Sequence, residues 1–409
     1  MANDAPRFDP TDPGFLHDPY PTYATLRERA PVLRHEPWNA WVLTRYRDVD
    51  RLLRDRRLGR VTRDAPKIPD DPSFAPFARI QAGSLLEIEP PDHTRIKQAV
   101  HDVFTPKHVR ELSQRIRALA LRQADRLAEA IERDGDADLI TVFAEPIPVT
   151  VIAELLGVPE ADRHRLLPWS KAIIGMFEPE RSAEQEAAGI HAADAFATFL
   201  RDLVAEKRRT PGDDLITRMT RSHDESDALS EDEIVANGIL FLNAGHEAVV
   251  NVLGNGFKAL LTHREGFEAL KADPDRLVRS AVEEMMRFDT PLQFFERFAL
   301  EDLEYEADDG TVHAWPRGTK LVLYYAAANH DPAVFDAPEE FRITRWPNPH
   351  LAFGLGTHYC IGAPLARLEL ANAVRALLAR LPEVRLAQEE FRYVPKNVFR
   401  YLTELRVRA

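Results

Sequence analysis

One cysteine in 409 residues, Cys360, stands in Phe353-Gly354-Leu355-Gly356-Thr357-His358-Tyr359-Cys360-Ile361-Gly362, directly ahead of an amphipathic helix. Gly354, Gly356 and Gly362 predict a backbone with φ > 0 that can lie close against a flat object. The following Ala363-Pro364-Leu365-Ala366-Arg367-Leu368-Glu369-Leu370 starts a helix, with proline in the first turn and apolar residues at helical spacing. A thiol at a helix N-terminus meets unpaired N–H groups and the positive end of the dipole, so thiolate is expected there. Cys360 is therefore a metal-ligand candidate. The plain alternative is a small buried hydrophobe, which is what most free cysteines are.

A chain of this length with 44% hydrophobic residues can bury a large core. No Gly/Ser-rich linker divides it, so residues 1–409 are expected to form a single domain. Ala/Leu/Arg/Glu-rich segments from about Arg110 to Thr290 predict helices. Ala40-Trp41-Val42-Leu43, Lys320-Leu321-Val322-Leu323-Tyr324-Tyr325 and Leu402-Thr403-Glu404-Leu405-Arg406-Val407 predict short strands. The expected class is mainly α with small β-sheets, and no repeat of a solenoid or propeller is present. The start of the chain is polar and no run of about 18 apolar residues occurs, which predicts neither signal peptide nor membrane anchor. With no second cysteine for an internal disulfide, this points to the cytoplasm. A net charge of −13 argues against nucleic-acid binding and is read as solubility.

Ser230-Glu231-Asp232-Glu233 is a capping box, with Leu229 and Ile234 at the hydrophobic-staple positions, so a long helix begins at Ser230. Its body, Ile239 to Val250, is apolar nearly all round, as in a helix that crosses a core. Gly245 costs it about 1 kcal/mol of propensity, and Glu247 follows two residues on. Together they predict a functional break. His246, off the face of Ala244 and Ala248, is expected on the helix surface. Glu284 and Arg287 are spaced i, i+3 on a helix starting at Asp273-Pro274, which alone predicts a surface pair of at most about 0.5 kcal/mol.

Phe-x-x-Gly-x-x-x-Cys-x-Gly resembles the ligand signature of the cytochrome P450 haem-thiolate monooxygenases. Ala244-Gly245-x-Glu247, Glu284-x-x-Arg287 and His93-x-x-x-Lys97 resemble three further motifs of that family. Pro211-Gly212-Asp213-Asp214-Leu215-Ile216, Ala328-Asn329-His330-Asp331-Pro332 and His350-Leu351-Ala352-Phe353 resemble its soluble bacterial branch. The likeness runs from about Leu33 to the C-terminus. It implies the single-domain P450 fold and heme b (iron protoporphyrin IX) ligated by Cys360, with Phe353, Gly354 and Gly362 shaping the loop. By the same resemblance His93, Lys97, Arg297 and His358 hold the propionates, Lys97 giving a point charge where the family has arginine. Glu284 and Arg287 become a buried pair.

Ala244 and Gly245 would make room for dioxygen, and Glu247 would belong to the proton path. Ala248 departs from the family, since it stands where a threonine hydroxyl normally helps steer protons. An ordered water near Glu247 or a hydroxyl on the substrate would have to replace it. The implied pocket is Leu86, Leu240, Asn243, Ala244, Ala248, Leu292, Gln293, Phe295 and Val398, apolar with two amides. The implied reaction inserts one oxygen atom from O2 into a small, largely apolar organic substrate. Electrons would come from a separate ferredoxin and ferredoxin reductase, and the chain is expected to be a monomer. Arg95, Lys107, Arg110 and Arg367 would flank the cysteine face and dock an acidic donor. Ala248 also leaves open a hydrogen-peroxide-driven peroxygenase, or a non-turnover haem-thiolate binding protein.

Overall fold

The long helix runs from Glu231 to Thr262 in the computed structural model, which describes residues 6–60, 68–226 and 228–409. Met1–Ala5, at the polar start, lie outside the described residues. Ser230 Oγ accepts from the Glu233 N–H at 3.2 Å and the Glu233 carboxylate accepts from the Ser230 N–H at 2.7 Å, so the capping box is closed in both directions. Leu229 and Ile234 are buried as a staple requires. The expected break is absent, because the α-helix continues through Gly245. A Cβ at Gly245 would lie 2.9 Å from Ile152 Cγ1, so the glycine lets this central helix lie against the helix Pro146–Leu156.

Two apolar clusters pack around the central helix, one about its C-terminal half and one about its N-terminal half. One joins Phe143, Phe257, Phe267, Met285 and Leu377, and the other joins Phe104, Phe196, Phe241 and Leu365. The helix that follows the cysteine, Ala363–Arg380, packs against Ser113–Asp134 and against Pro274–Phe288. Among the described residues no helix is long and apolar enough to cross a membrane.

Strands are few and peripheral, as the composition predicts. A five-stranded sheet has the order Val32–His35, Ala40–Leu43, Lys320–Tyr324, Phe294–Ala299, Leu58–Gly59, with only the second and third strands parallel. Phe295 pairs with Leu323 and Glu296 with Val322 in this sheet. The strand expected over Leu402–Val407 is shorter, Arg406–Arg408, with Leu402 in an isolated bridge to Tyr393.

Glu284 and Arg287 are fully buried, not a surface pair. Arg287 Nε and Nη2 each donate to the carboxylate at 2.8 Å. Arg345 Nε, Asn348 Nδ2 and the Arg342 N–H also converge on Glu284, while Arg287 donates onward to the carbonyls of Asn329, Pro338 and Glu340. The charged members of this network are paired, and Asn348 Oδ1 alone among the side chains that converge on Glu284 is buried without a partner. The network pins the irregular segment that leads to the cysteine loop.

Candidate active site

The cysteine loop is closed by the Cys360 N–H donating to the Phe353 carbonyl at 3.0 Å. Gly354 (φ 62°) and Gly356 (φ 71°) are left-handed, and a Cβ on Gly356 would collide with the Leu53 carbonyl oxygen, so only glycine fits. Gly362 does not follow the expectation. Its φ is −80° and it caps the next helix, leaving the space beside the Cys360 sulfur open.

The sulfur is buried and accepts the N–H groups of Gly362 and Ala363. Burial nevertheless pushes the thiol up, against the pull of those N–H groups and of Arg367 and Lys97. Behind the loop Arg367 grips Glu283 through Nε at 2.6 Å and Nη2 at 2.9 Å, His350 adds a bond at 2.9 Å, and the Arg367 guanidinium lies 4.4 Å from the centroid of Phe353. Burial alone would raise Glu283, but His350 and Arg367 hold it down at about 2. Arg367 is thus ion-paired to Glu283 while its side chain stays 37% exposed. Arg95 is likewise engaged by Glu233, Asp92 and the Ala228 carbonyl, whereas Lys107 and Arg110 are exposed.

A cavity opens between this loop and the central helix. Cys360, Phe353, Gly354 and Gly362 line one wall, and Leu240, Asn243, Ala244, Gly245, Glu247 and Ala248 line the other. Leu86, Leu292, Phe295 and Val398 close it, as expected. Gln293 does not line it. Its amide oxygen accepts from Tyr23 at 2.8 Å, its Nε2 donates to the Thr290 carbonyl, and its backbone N–H donates to the Val398 carbonyl, so it braces the wall from behind. His246 is also not where it was expected. It is buried, Nδ1 donates to the Leu242 carbonyl at 2.9 Å, and Nε2 is 3.6 Å from Glu247 Oε2. Burial lowers its pKa, so a neutral imidazole stands beside Glu247. Asn243 Oδ1 is buried with no partner in the protein.

His93, Lys97 and His358 gather along one edge of the cavity. The two imidazoles are 4.7 Å apart, His358 Nε2 meets Glu89 at 3.1 Å, and Lys97 Nζ donates to the Thr357 carbonyl at 3.1 Å. Burial, with His358 and Lys97 nearby, lowers His93 to about 4. Arg297 lies outside the lining, buried beneath this edge with Nη1 on the Glu296 carbonyl, and burial lowers it too. Burial is the main cause in each case, and the neighbouring cations add to it while Glu89 opposes it. A flat dianion with an iron centre fits the surroundings: a slot walled by small Ala244 and Ala248, a buried sulfur on the facing wall, and donors at one rim.

Residues 184–383 match the model of the family described as Cytochrome P450. The polyketide biosynthesis cytochrome P450 PksS of Bacillus subtilis is 34% identical over 93% of this chain and 92% of its own. This chain belongs to the cytochrome P450 family. The vitamin D(3) 25-hydroxylase of Pseudonocardia autotrophica is 38% identical over 96% of this chain and 94% of its own. The structure of P450BioI with a hexadec-9Z-enoic acid ligated acyl carrier protein superposes with a TM-score of 0.87 at 33% identity, covering 97% and 99% of the two chains. The fold, the monooxygenase class and heme b are therefore those of bacterial P450 enzymes.

Two residues that sequence reading missed also shape this P450 cavity. Arg60 lines it, with its side chain 4% exposed and bonded to Glu87 at 2.6 Å. Glu178, between two helices, accepts the N–H groups of Asn397 and Val398 and fixes the turn that carries Val398 into the wall. No local pattern marks either residue, since their partners are distant in sequence.

Proposed function

We propose that this P450 is an O2-dependent monooxygenase of a largely apolar substrate, with Cys360 as the thiolate ligand of heme b. The observation that carries the reading is the buried Cys360 sulfur facing Ala244 and Ala248 across an apolar cavity. Bound heme b supplies the reductive activation of dioxygen. The chain's own residues position and protect. His93, Lys97 and His358 would hold the propionates, with Arg297 supporting them through the strand it shares with Phe295. The Glu283–Arg367 contact holds Phe353 against the loop. Leu86, Leu240, Leu292, Phe295 and Val398 exclude water and orient the substrate, while Asn243 offers one unpartnered carbonyl to a polar group on it.

Ala248 brings no hydroxyl, so the proton has to reach dioxygen by way of Glu247 and an ordered water, or from a hydroxyl of the substrate. Electrons come from a separate ferredoxin and its reductase, approaching the cysteine face where Lys107 and Arg110 are exposed. The 409 residues act as one domain, as a monomer, in the cytoplasm. PksS, named for polyketide biosynthesis, and P450BioI, solved with a carrier-linked fatty acid, support a substrate with long apolar parts.

The test is spectroscopic and then catalytic. The reduced protein with carbon monoxide should show the red-shifted Soret band of thiolate ligation, lost in Cys360→His. NADH-linked turnover with a surrogate ferredoxin pair should then yield oxygenated product. The same band in Cys360→His refutes the ligand. Product formed with peroxide but never with the ferredoxin pair replaces the reading by a peroxygenase, and no product with either supports a non-turnover binding protein.

A further inference from the structure

Outside the inner cavity lies a vestibule of about 950 Å³, and the two meet at Arg60, Gln81, Phe177 and Glu296. The inner space is walled mainly by leucine, phenylalanine and valine, whereas the vestibule is lined by charges of both signs, Arg34, Arg181, Arg317 and Lys320 with Glu178 and Glu180. Polarity therefore changes abruptly at this neck. Arg60 sits at the change. Its guanidinium lies 3.8 Å from the centroid of Phe295, Nη2 donates to Glu87 and Nη1 to the Glu296 carbonyl, each at 2.6 Å. Its Nε is buried and has no partner in the protein. Buried arginine N–H groups are seldom left unpaired, because each costs desolvation without return.

We propose that Arg60 anchors the carboxylate of an amphiphilic substrate, whose apolar chain then passes Phe177 and Phe295 toward Cys360. This rests on the monooxygenase reading and adds the chemical class of its substrate. Guanidinium geometry suits a carboxylate, and the desolvated neck strengthens the contact over what an exposed arginine would give. Glu87 is the resident counter-ion that keeps Arg60 compensated before the substrate arrives. A carboxylate entering from the vestibule displaces Glu87 far enough to share the guanidinium and to supply the acceptor that Nε lacks. The anchored end fixes how far the chain reaches, so the position of oxidation counts from the carboxylate.

The probes are dodecanoate and methyl dodecanoate, with binding measured by calorimetry on the haem-loaded protein. Wild type should bind the acid about tenfold or more tightly than the ester, the cost of a lost hydrogen bond to a charged group. Arg60→Met should abolish that preference, and Arg60→Lys should keep part of it. Glu87→Gln, which leaves the guanidinium in place, should tighten dodecanoate and leave the ester unchanged. Equal affinities in wild type, or a preference that survives Arg60→Met, would overturn the assignment. A propionate of heme b could use the same chemistry, so haem transfer to apomyoglobin is followed in parallel. Faster haem loss in Arg60→Met with the acid preference intact would assign Arg60 to the cofactor and also overturn the proposal. Calorimetry reads ligand binding whatever the Soret band of the carbon monoxide complex shows, so failure of the anchor and failure of thiolate ligation are separate results.

Discussion

The ground behind the cysteine loop and the wall opposite it treat buried polarity in opposite ways. Behind the loop, Glu284 gathers Arg287, Arg345, Asn348 and the Arg342 N–H, and Glu283 is closed by Arg367 and His350. On the cavity side, Asn243 Oδ1 and Arg60 Nε are buried without a partner in the protein. A polar group satisfied from all sides stabilises one conformation, whereas one left unpaired lowers stability and keeps a bond for something else. The first region is built to hold a loop still. The second retains bonding capacity for ligands.

Breaking the first region should have the largest effect. Glu284→Ala leaves Arg287 and Arg345 buried without their carboxylate, and the loss of a buried partner costs about 3–5 kcal/mol. Holoprotein should accumulate poorly and lose haem on warming, as read by the Soret band during thermal unfolding. Normal haem content with an unchanged midpoint would show that the network is dispensable.

Gly356→Ala comes next, since a left-handed alanine costs about 1–2 kcal/mol before the collision with Leu53 is counted. Gly354→Ala should be milder, because its Cβ would meet only the Tyr325 hydroxyl at 3.3 Å. Chemical denaturation of both variants checks the order. A larger loss for Gly354→Ala would contradict the packing described.

Acid offers a subtler probe of the same region. Glu283 is held at about 2 against an ordinary 4.5, so its folded form binds its proton later than the unfolded chain. Its contribution is complete above pH 4.5 and is lost as pH falls from 4.5 toward 2. Glu283→Gln should therefore be less stable than wild type at neutral pH, with the difference shrinking across that window. A difference independent of pH would remove Glu283 from the account.

Substitutions on the cavity side should scarcely move stability. Asn243→Leu removes an unpaired acceptor and is expected to be neutral or stabilising by up to about 1 kcal/mol, while weakening ligands that carry a donor. A marked loss of stability would mean that Asn243 is already satisfied. Ala248→Thr should leave stability nearly unchanged and raise product formed per NADH for a poorly fitting substrate more than for the natural one. Equal, low coupling with no response to the threonine would dismiss a substitute proton donor.

Much of the first region can be read from the sequence because its signals are local. The Cys360 loop and the spacing of Glu284 and Arg287 are short-range patterns, as is the capping box at Ser230 and Glu233 that starts the helix on the cavity side. The cavity side is less legible for the opposite reason. Gln293 and His246 have side chains whose direction depends on distant partners, Tyr23 for the one and the packing around Glu247 for the other. Gly362 reads like its neighbours Gly354 and Gly356, yet it serves as a helix cap because the helix that follows fixes its φ.

By itself the sequence determined the helical class, the family, the single cysteine and the helix that faces it, because hydrophobic period, caps and short motifs are properties of neighbouring residues. Only the tertiary structure decided that Arg367 is paired with Glu283 and Arg95 with Glu233, and that Arg60 stands at the neck with an unused N–H. Each of these depends on solvent exclusion and on partners brought together from far along the chain.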